Sequence, residues 1–344
     1  MAVSVASQEL TLKGTNPISI SSLCKICVLC VSVLVCTNQS NPAFAIGFTV
    51  NSDQSQKTQS TPSLARKKQI GNREPRPQNV AEKIAVANEL ARNGSWLEAI
   101  AAYLSVIELD AKAANAYGNL GYVYSMIGRF DEAAEVLQKA VSLAPDTAVF
   151  RYNLGNVYLS LHRATESIDS LQHAIRLKPH FFQAYNDLGN AYAELNRYVE
   201  AIDMLKRAVS LKPELAVANH NLGVAYFKAG RFKEALESLN IAVSLDSASY
   251  QSYSELGVAY LNLRQYKKAQ RALENAVNLA PTDARAQYHL GIVYVVLNKK
   301  DKFWRQHALV KTLESKLADS LLYFFHRDRL LIFNSMRDKQ ITAK

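Results

Sequence analysis

Six positions spaced 34 residues apart carry side chains suited to recognition: Asn119, Asn153, Asp187, Asn221, Glu255 and His289. Asn156 and Asn190 stand three residues further on in two of the same units. An amide side chain offers both a hydrogen-bond donor and an acceptor. It can pair with a peptide bond whatever side chains flank that bond. A row of such groups suits the backbone of an extended polypeptide, and it equally suits plain hydration of a wetted helix face.

Other chemistry finds no constellation in this sequence. There is no glycine-rich phosphate loop, no G-x-S-x-G turn and no histidine pair at metal-ligand spacing. The seven histidines, His162, His173, His180, His220, His289, His307 and His326, are scattered. His326-Arg327-Asp328 matches a kinase tripeptide without any other kinase element. Cys24, Cys27, Cys30 and Cys36 have a spacing that a metal could use, but they lie in an apolar run with no histidine nearby. There cysteine acts as a small apolar residue. The expectation is a chain with no catalytic residues, no cofactor and no metal.

The elements that position the amide row follow from the same period. Gly121, Gly155, Gly189, Gly223, Gly257 and Gly291 are 34 residues apart, each followed three residues later by tyrosine, Tyr124 to Tyr294. Twelve residues past the glycines come Ala133, Ser167, Ala201, Ala235 and Ala269. Leu137, Leu171, Leu205, Leu239 and Leu273 follow, then Ala140, Ala174, Ala208, Ala242 and Ala276. Steps of three and four are helical. Pro145, Pro179, Pro213 and Pro281 close four of the units, because proline and its predecessor resist helical angles. Glycine inside a helix costs about 1 kcal/mol against alanine, so a periodic one marks close approach by a second helix. Each unit reads as helix–turn–helix, with turns near Ile127-Gly128-Arg129, Leu195-Asn196-Arg197 and Ala229-Gly230-Arg231.

The pattern, clearest in 182–215, resembles the tetratricopeptide repeat family over about 80–317. The resemblance implies an all-α, right-handed α-solenoid of about seven 34-residue repeats. These fall near 80–113, 114–147, 148–181, 182–215, 216–249 and 250–283, with a degenerate 284–317. It also implies that the first helix of each unit lines a concave groove, where an asparagine ladder holds an extended peptide. That places Asn119, Asn153, Asn156, Asp187, Asn190, Asn221, Glu255 and His289 in the binding surface. Lysine and arginine, which clamp an acidic C-terminus in chaperone-binding members, are nearly absent from the corresponding positions: Asn115, Val149, Gln183, Val217, Gln251 and Arg285. The expected partner is another protein or an extended peptide segment.

The ends differ. Residues 318–344 read as a capping helix and basic tail, with Leu309, Leu313, Leu317, Leu321 and Leu322 facing the last repeat. In 1–45, lysines precede an apolar run from Ile26 to Cys36 and an A-x-A site at Ala43 and Ala45. This is the layout of a signal peptide, and the run is shorter than the roughly 20 residues of a membrane span. Export to a periplasm, cell envelope or equivalent lumen is expected, with an uncleaved membrane anchor as the alternative. Residues 46–79 are rich in Ser, Gln, Thr, Asn and Pro and read as a disordered basic linker. The net charge of +10 sits at the ends, since 80–298 hold 21 basic and 22 acidic residues. Nucleic acid wants a basic stripe, which the repeats lack. A membrane contact through 18–36 or the basic ends is compatible with the charge distribution.

Overall fold

A computed structural model describes residues 80–327. They form antiparallel helix pairs. The pairs are α1 (Val80–Arg92) with α2 (Trp96–Leu109), α3 (Ala114–Met126) with α4 (Phe130–Leu143), and α5 (Ala148–Ser160) with α6 (Ala164–Leu177). Next come α7 (Phe182–Glu194) with α8 (Tyr198–Leu211), and α9 (Ala216–Lys228) with α10 (Phe232–Leu245). The last are α11 (Tyr250–Asn262) with α12 (Tyr266–Leu279), and α13 (Ala284–Val296) with α14 (Lys300–Leu313). A further helical stretch covers 315–327. No strand occurs among the described residues, and the array is an α-solenoid. The segments expected to be a signal peptide and a linker, and the tail from 328 on, lie outside the described residues.

The periodic glycines set the distance within each pair. A Cβ built on Gly189 would stand 2.5 Å from Leu205 Cγ and 3.2 Å from the Ala201 carbonyl oxygen. Gly121 faces Leu137 in the same way, Gly155 faces Leu171, Gly223 faces Leu239 and Gly257 faces Leu273. Each of these leucines is buried, and so are the small residues one turn before and one turn after it, alanine throughout except Ser167. The missing methyl lets the leucine sit against the opposite backbone.

The turn between paired helices has one geometry throughout. Gly94, Gly128, His162, Asn196, Gly230, Arg264 and Asn298, again 34 apart, all have positive φ. The next residue donates its N–H back across the turn, as Arg129 does to the Tyr124 carbonyl at 2.9 Å and Arg197 to that of Tyr192 at 2.9 Å. This is the Schellman closure of a helix, which needs a left-handed residue. At four turns the arginine also lies over that tyrosine ring, 4.6–4.7 Å from its centroid, in the pairs Arg129–Tyr124, Arg163–Tyr158, Arg197–Tyr192 and Arg231–Tyr226. The same four arginines pair with Glu132, Glu166, Glu200 and Glu234.

Stacking is asymmetric. Each first helix touches the first helix of the next pair, whereas successive second helices make no comparable contact. Gly118 assists at one such contact, since a Cβ there would overlap the Phe150 ring. The first helices therefore form the tighter, inner side of the stack. Bridges between pairs run from the second helix to the next tyrosine: Gln138 Nε2 donates to Tyr158 Oη at 2.8 Å, and Gln172 Nε2 to Tyr192 Oη at 2.9 Å.

At the C-terminal end Leu321 packs on Gly291, in the place that leucine of the second helix takes elsewhere and that His307 holds here. Ala318, Leu321 and Phe325 are buried, and Phe325 stacks on Phe303 at 4.3 Å and 9°. The expected stripe through Leu309 is corrected: Leu309 is exposed. Glu314 is extended, with φ −155° and ψ 103°, so the chain turns there and the residues on either side present different faces.

Two stability tests follow. Gly189→Ala is expected to lower the urea midpoint of the array by overpacking against Leu205, about 1–3 kcal/mol less the helix-propensity gain. Arg264→Gly removes a bulky residue from the left-handed position and should raise the thermal midpoint, by up to about 1 kcal/mol in stability.

Candidate functional site

The amide row runs along the first helices α3, α5, α7, α9, α11 and α13, one position per pair. Its members differ sharply in how far their own fold already uses them. Asn119 is buried, and its Nδ2 donates to Asn88 Oδ1 at 2.8 Å. Tyr103 Oη donates to the same Asn88 oxygen at 2.6 Å. Burial raises the Tyr103 phenol, opposed first by the bond to Asn119, so it stays a neutral donor. This end of the row is a closed internal network.

Asp187 is the centre of a second network. It is 2% exposed, and Asn186 Nδ2 donates to its Oδ1 at 2.9 Å. Asn221 Nδ2, one pair further along, donates to Asn186 Oδ1 at 3.0 Å. Tyr152 and Asn156 of α5 border the same carboxyl. Yet neither Asp187 Oδ2 nor Tyr152 Oη, both buried, completes a hydrogen bond. Burial pushes the Asp187 carboxyl up to about 6, against the opposing pull of Asn186, Tyr152 and Asn156. Two successive first helices, α5 and α7, thus meet at one carboxyl group, and α9 joins them through Asn186.

Asn153 and Asn190 are partly exposed, and neither amide makes a hydrogen bond within the array. They belong to neighbouring pairs, flank the Asp187 network, and lie on the inner side of the stack. Further along, Glu255 is partly exposed and its carboxyl is raised by burial, opposed by the nearby charges of Lys228 and Arg285. His289 is lowered to about 4, chiefly by burial and then by Arg285, and its Nδ1 is buried without a partner. His220, one position before the row, is lowered to about 4 by burial, and its Nδ1 lies 2.9 Å from Ser252 Oγ. Both rings are neutral at neutral pH.

The structure thus groups Asn153, Asn156, Asp187, Asn190 and Asn221 around one region. Asn119 lies apart, in the network of the first two pairs, and Glu255 and His289 belong to the far end. Sequence reasoning missed Asn88 and Asn186, the two amides that organise the networks. Asn186 does not recur at its repeat position, so a search by period passes over it. Asn88 shares the repeat position of Asn156 and Asn190, but its unit has Ala87 in place of the glycine that marks the row. The signal available was adjacency: Asn186 stands beside the one aspartate in the row.

Tetratricopeptide repeat models match residues 85–148, 148–181 and 226–290, and a TPR repeat model matches 189–230. The chain belongs to the tetratricopeptide repeat family. As a tetratricopeptide repeat protein it is, in general terms, a scaffold for protein interaction. Among solved structures, a chain of the APC/C hetero-tetramer Cut9–Hcn1 is 18% identical, with a TM-score of 0.60 over 72% of this chain. This chain spans 49% of that one. A tetratricopeptide repeat protein from Parabacteroides merdae is 14% identical, with a TM-score of 0.57 over 72% of this chain and 99% of its own. Pseudomonas aeruginosa pilF is 22% identical, with a TM-score of 0.53 over 60% of this chain and 93% of its own. At these identities the likeness is one of fold. Comparison with curated proteins gives no match. Among the described residues no helix is long and apolar enough to cross a membrane, and no cluster of His, Cys, Asp and Glu could hold a metal ion.

The raised Asp187 carboxyl has a consequence for stability. The folded state binds its proton more tightly than the unfolded chain, whose ordinary value is 3.8. Its contribution is therefore best below pH 4, declines as pH rises towards about 6, and stays flat above that. Asp187→Asn places the amide found at Asn153 and Asn221 in the same setting. The gain in stability of this variant over the parent should be greater at pH 7.5 than at pH 4.5, by about 2 kcal/mol, in denaturant titrations of both chains.

Proposed function

We propose that the chain binds an extended segment of another protein along the inner side of its first helices. Asn153 and Asn190 act as the backbone-reading amides. The observation that carries this reading is that both amides are open to solvent and free of internal partners, while their neighbours are locked in networks. An amide that is already half-desolvated and held by a rigid helix loses little freedom on pairing with a peptide bond. Each new bond to a ligand backbone adds a modest free energy of about 0.5–1.5 kcal/mol, so several must act together. The locked amides, Asn119, Asn156, Asn186 and Asn221, support the shape of this surface. The neutral charge of the repeats fits a ligand read by its backbone better than one read by a strong opposite charge. No turnover is assigned to this surface.

We further propose that the chain works outside the cytosol. The apolar run at 26–36 and the A-x-A site at Ala43 and Ala45 support this. An uncleaved run would instead tether the repeats to a membrane as an assembly or maturation factor. N-terminal sequencing of the protein from its native cells separates the two: a start at Ile46 supports release, and an intact chain in washed membranes supports the anchor.

The groove is tested by affinity capture. The partner recovered with the parent chain should be retained at least about tenfold less by the double variant Asn153→Ala, Asn190→Ala, at unchanged thermal midpoint. Undiminished retention would refute the role of the two amides.

A further inference from the structure

We propose that Asp187 is a specificity residue of this groove, receiving a lysine or arginine side chain of the bound segment. The inference rests on the groove reading above and deepens it.

The geometry carries the argument. Asp187 is the one acid in the row with no charged side chain facing it. Its neighbours are Asn186 on its own helix, Tyr152 and Asn156 on α5, and Asn221 on α9 reached through Asn186. Four helices pack on α7: α5, α6, α8 and α9. None of them brings a cation to the carboxyl. Glu255, two pairs further on, has Lys228 and Arg285 close by, and the exposed Glu132, Glu166, Glu200 and Glu234 each hold an arginine. Asp187 Oδ2 is buried and unpartnered, and Tyr152 Oη beside it is buried and unpartnered as well. Asp187 Oδ2 thus lies beside the Tyr152 hydroxyl, on the same first helices that carry Asn153 and Asn190. A buried, ionised carboxylate without a counter-charge is costly, and a cation brought to it removes that cost. An ammonium or guanidinium group supplies several N–H donors at once, enough for Asp187 Oδ2 and Tyr152 Oη together.

A neutral ligand cannot offer the same gain. Asparagine at this position, as at Asn153 and Asn221, would read a backbone without regard to side-chain charge. Aspartate turns one rung of a sequence-blind row into a rung that discriminates. The preference also has a sign with pH. The carboxyl gives up its proton near pH 6, so selection for a basic residue should be stronger at pH 7.5 than at pH 5.

The test is affinity selection by the full-length chain from random decapeptide pools whose central residue is fixed as Lys, Arg, Gln or Glu. The parent chain should retain the Lys and Arg pools at least about tenfold over the Gln pool at pH 7.5, and less so at pH 5. Asp187→Asn should lose the preference for the Lys and Arg pools over the Gln pool. Asp187→Glu checks that charge is what matters and should keep part of the preference. Equal retention of the Lys, Arg and Gln pools by the parent chain would overturn the assignment and leave the groove reading standing. The same holds for a basic preference that survives Asp187→Asn. Retention of no pool would overturn both readings.

Discussion

The contact on which the structure depends is that between a glycine in each first helix and a leucine in the second. At Gly189 a single added carbon would stand 2.5 Å from Leu205 Cγ, well inside van der Waals distance. The two helices are therefore as close as side-chain chemistry allows. Repeated with the same spacing, this contact gives every pair the same geometry, and identical pairs stack with a constant offset. That constancy aligns one residue per repeat into a row. The last pair shows the same need from the other direction. Its own second helix carries His307 in the leucine register, and Leu321 comes from the following helix to fill the space over Gly291.

The turn adds a second constraint of the same period. Seven left-handed residues close the first helices, and three of them are glycine. The other four are histidine, asparagine and arginine held in a conformation that costs L-residues energy. Their retention shows that the fold around the turn is strong enough to impose it. At four turns the arginine that follows is held between a tyrosine ring and a glutamate, which fixes the junction of the helices and leaves these arginines paired. The net effect is a scaffold with a paired arginine and glutamate at four of its turns, and with amides and a few buried ionisable groups along its first helices.

Much of this was legible in the sequence. The period located each helix pair, because glycine, alanine and leucine positions are set by packing that every repeat shares. The turns near Gly128, Asn196 and Gly230 could be read because glycine and asparagine mark left-handed backbone. Those at His162 and Arg264 could not, since nothing local distinguishes these residues from any surface side chain. The cap register was misread because the leucine stripe continues across Glu314, while the chain bends there. Within the site, the row of amides was visible by spacing, but its division into locked and open members was not. That division depends on Asn88 and Asn186, which pair across 31 and 35 residues with Asn119 and Asn221 in contacts that each occur once among the described residues. A contact made in one unit alone leaves no signature in the period, even where its residue type recurs.

The account reduces to one claim, that the open amides on the inner side of the stack hold the backbone of a bound segment. The most direct measurement is nuclear magnetic resonance of the side-chain NH2 groups in the array as a captured partner segment is added. The account predicts that the Asn153 and Asn190 side-chain signals shift together at saturation while that of Asn119 stays in place. Saturable binding that leaves the Asn153 and Asn190 signals unmoved would contradict it.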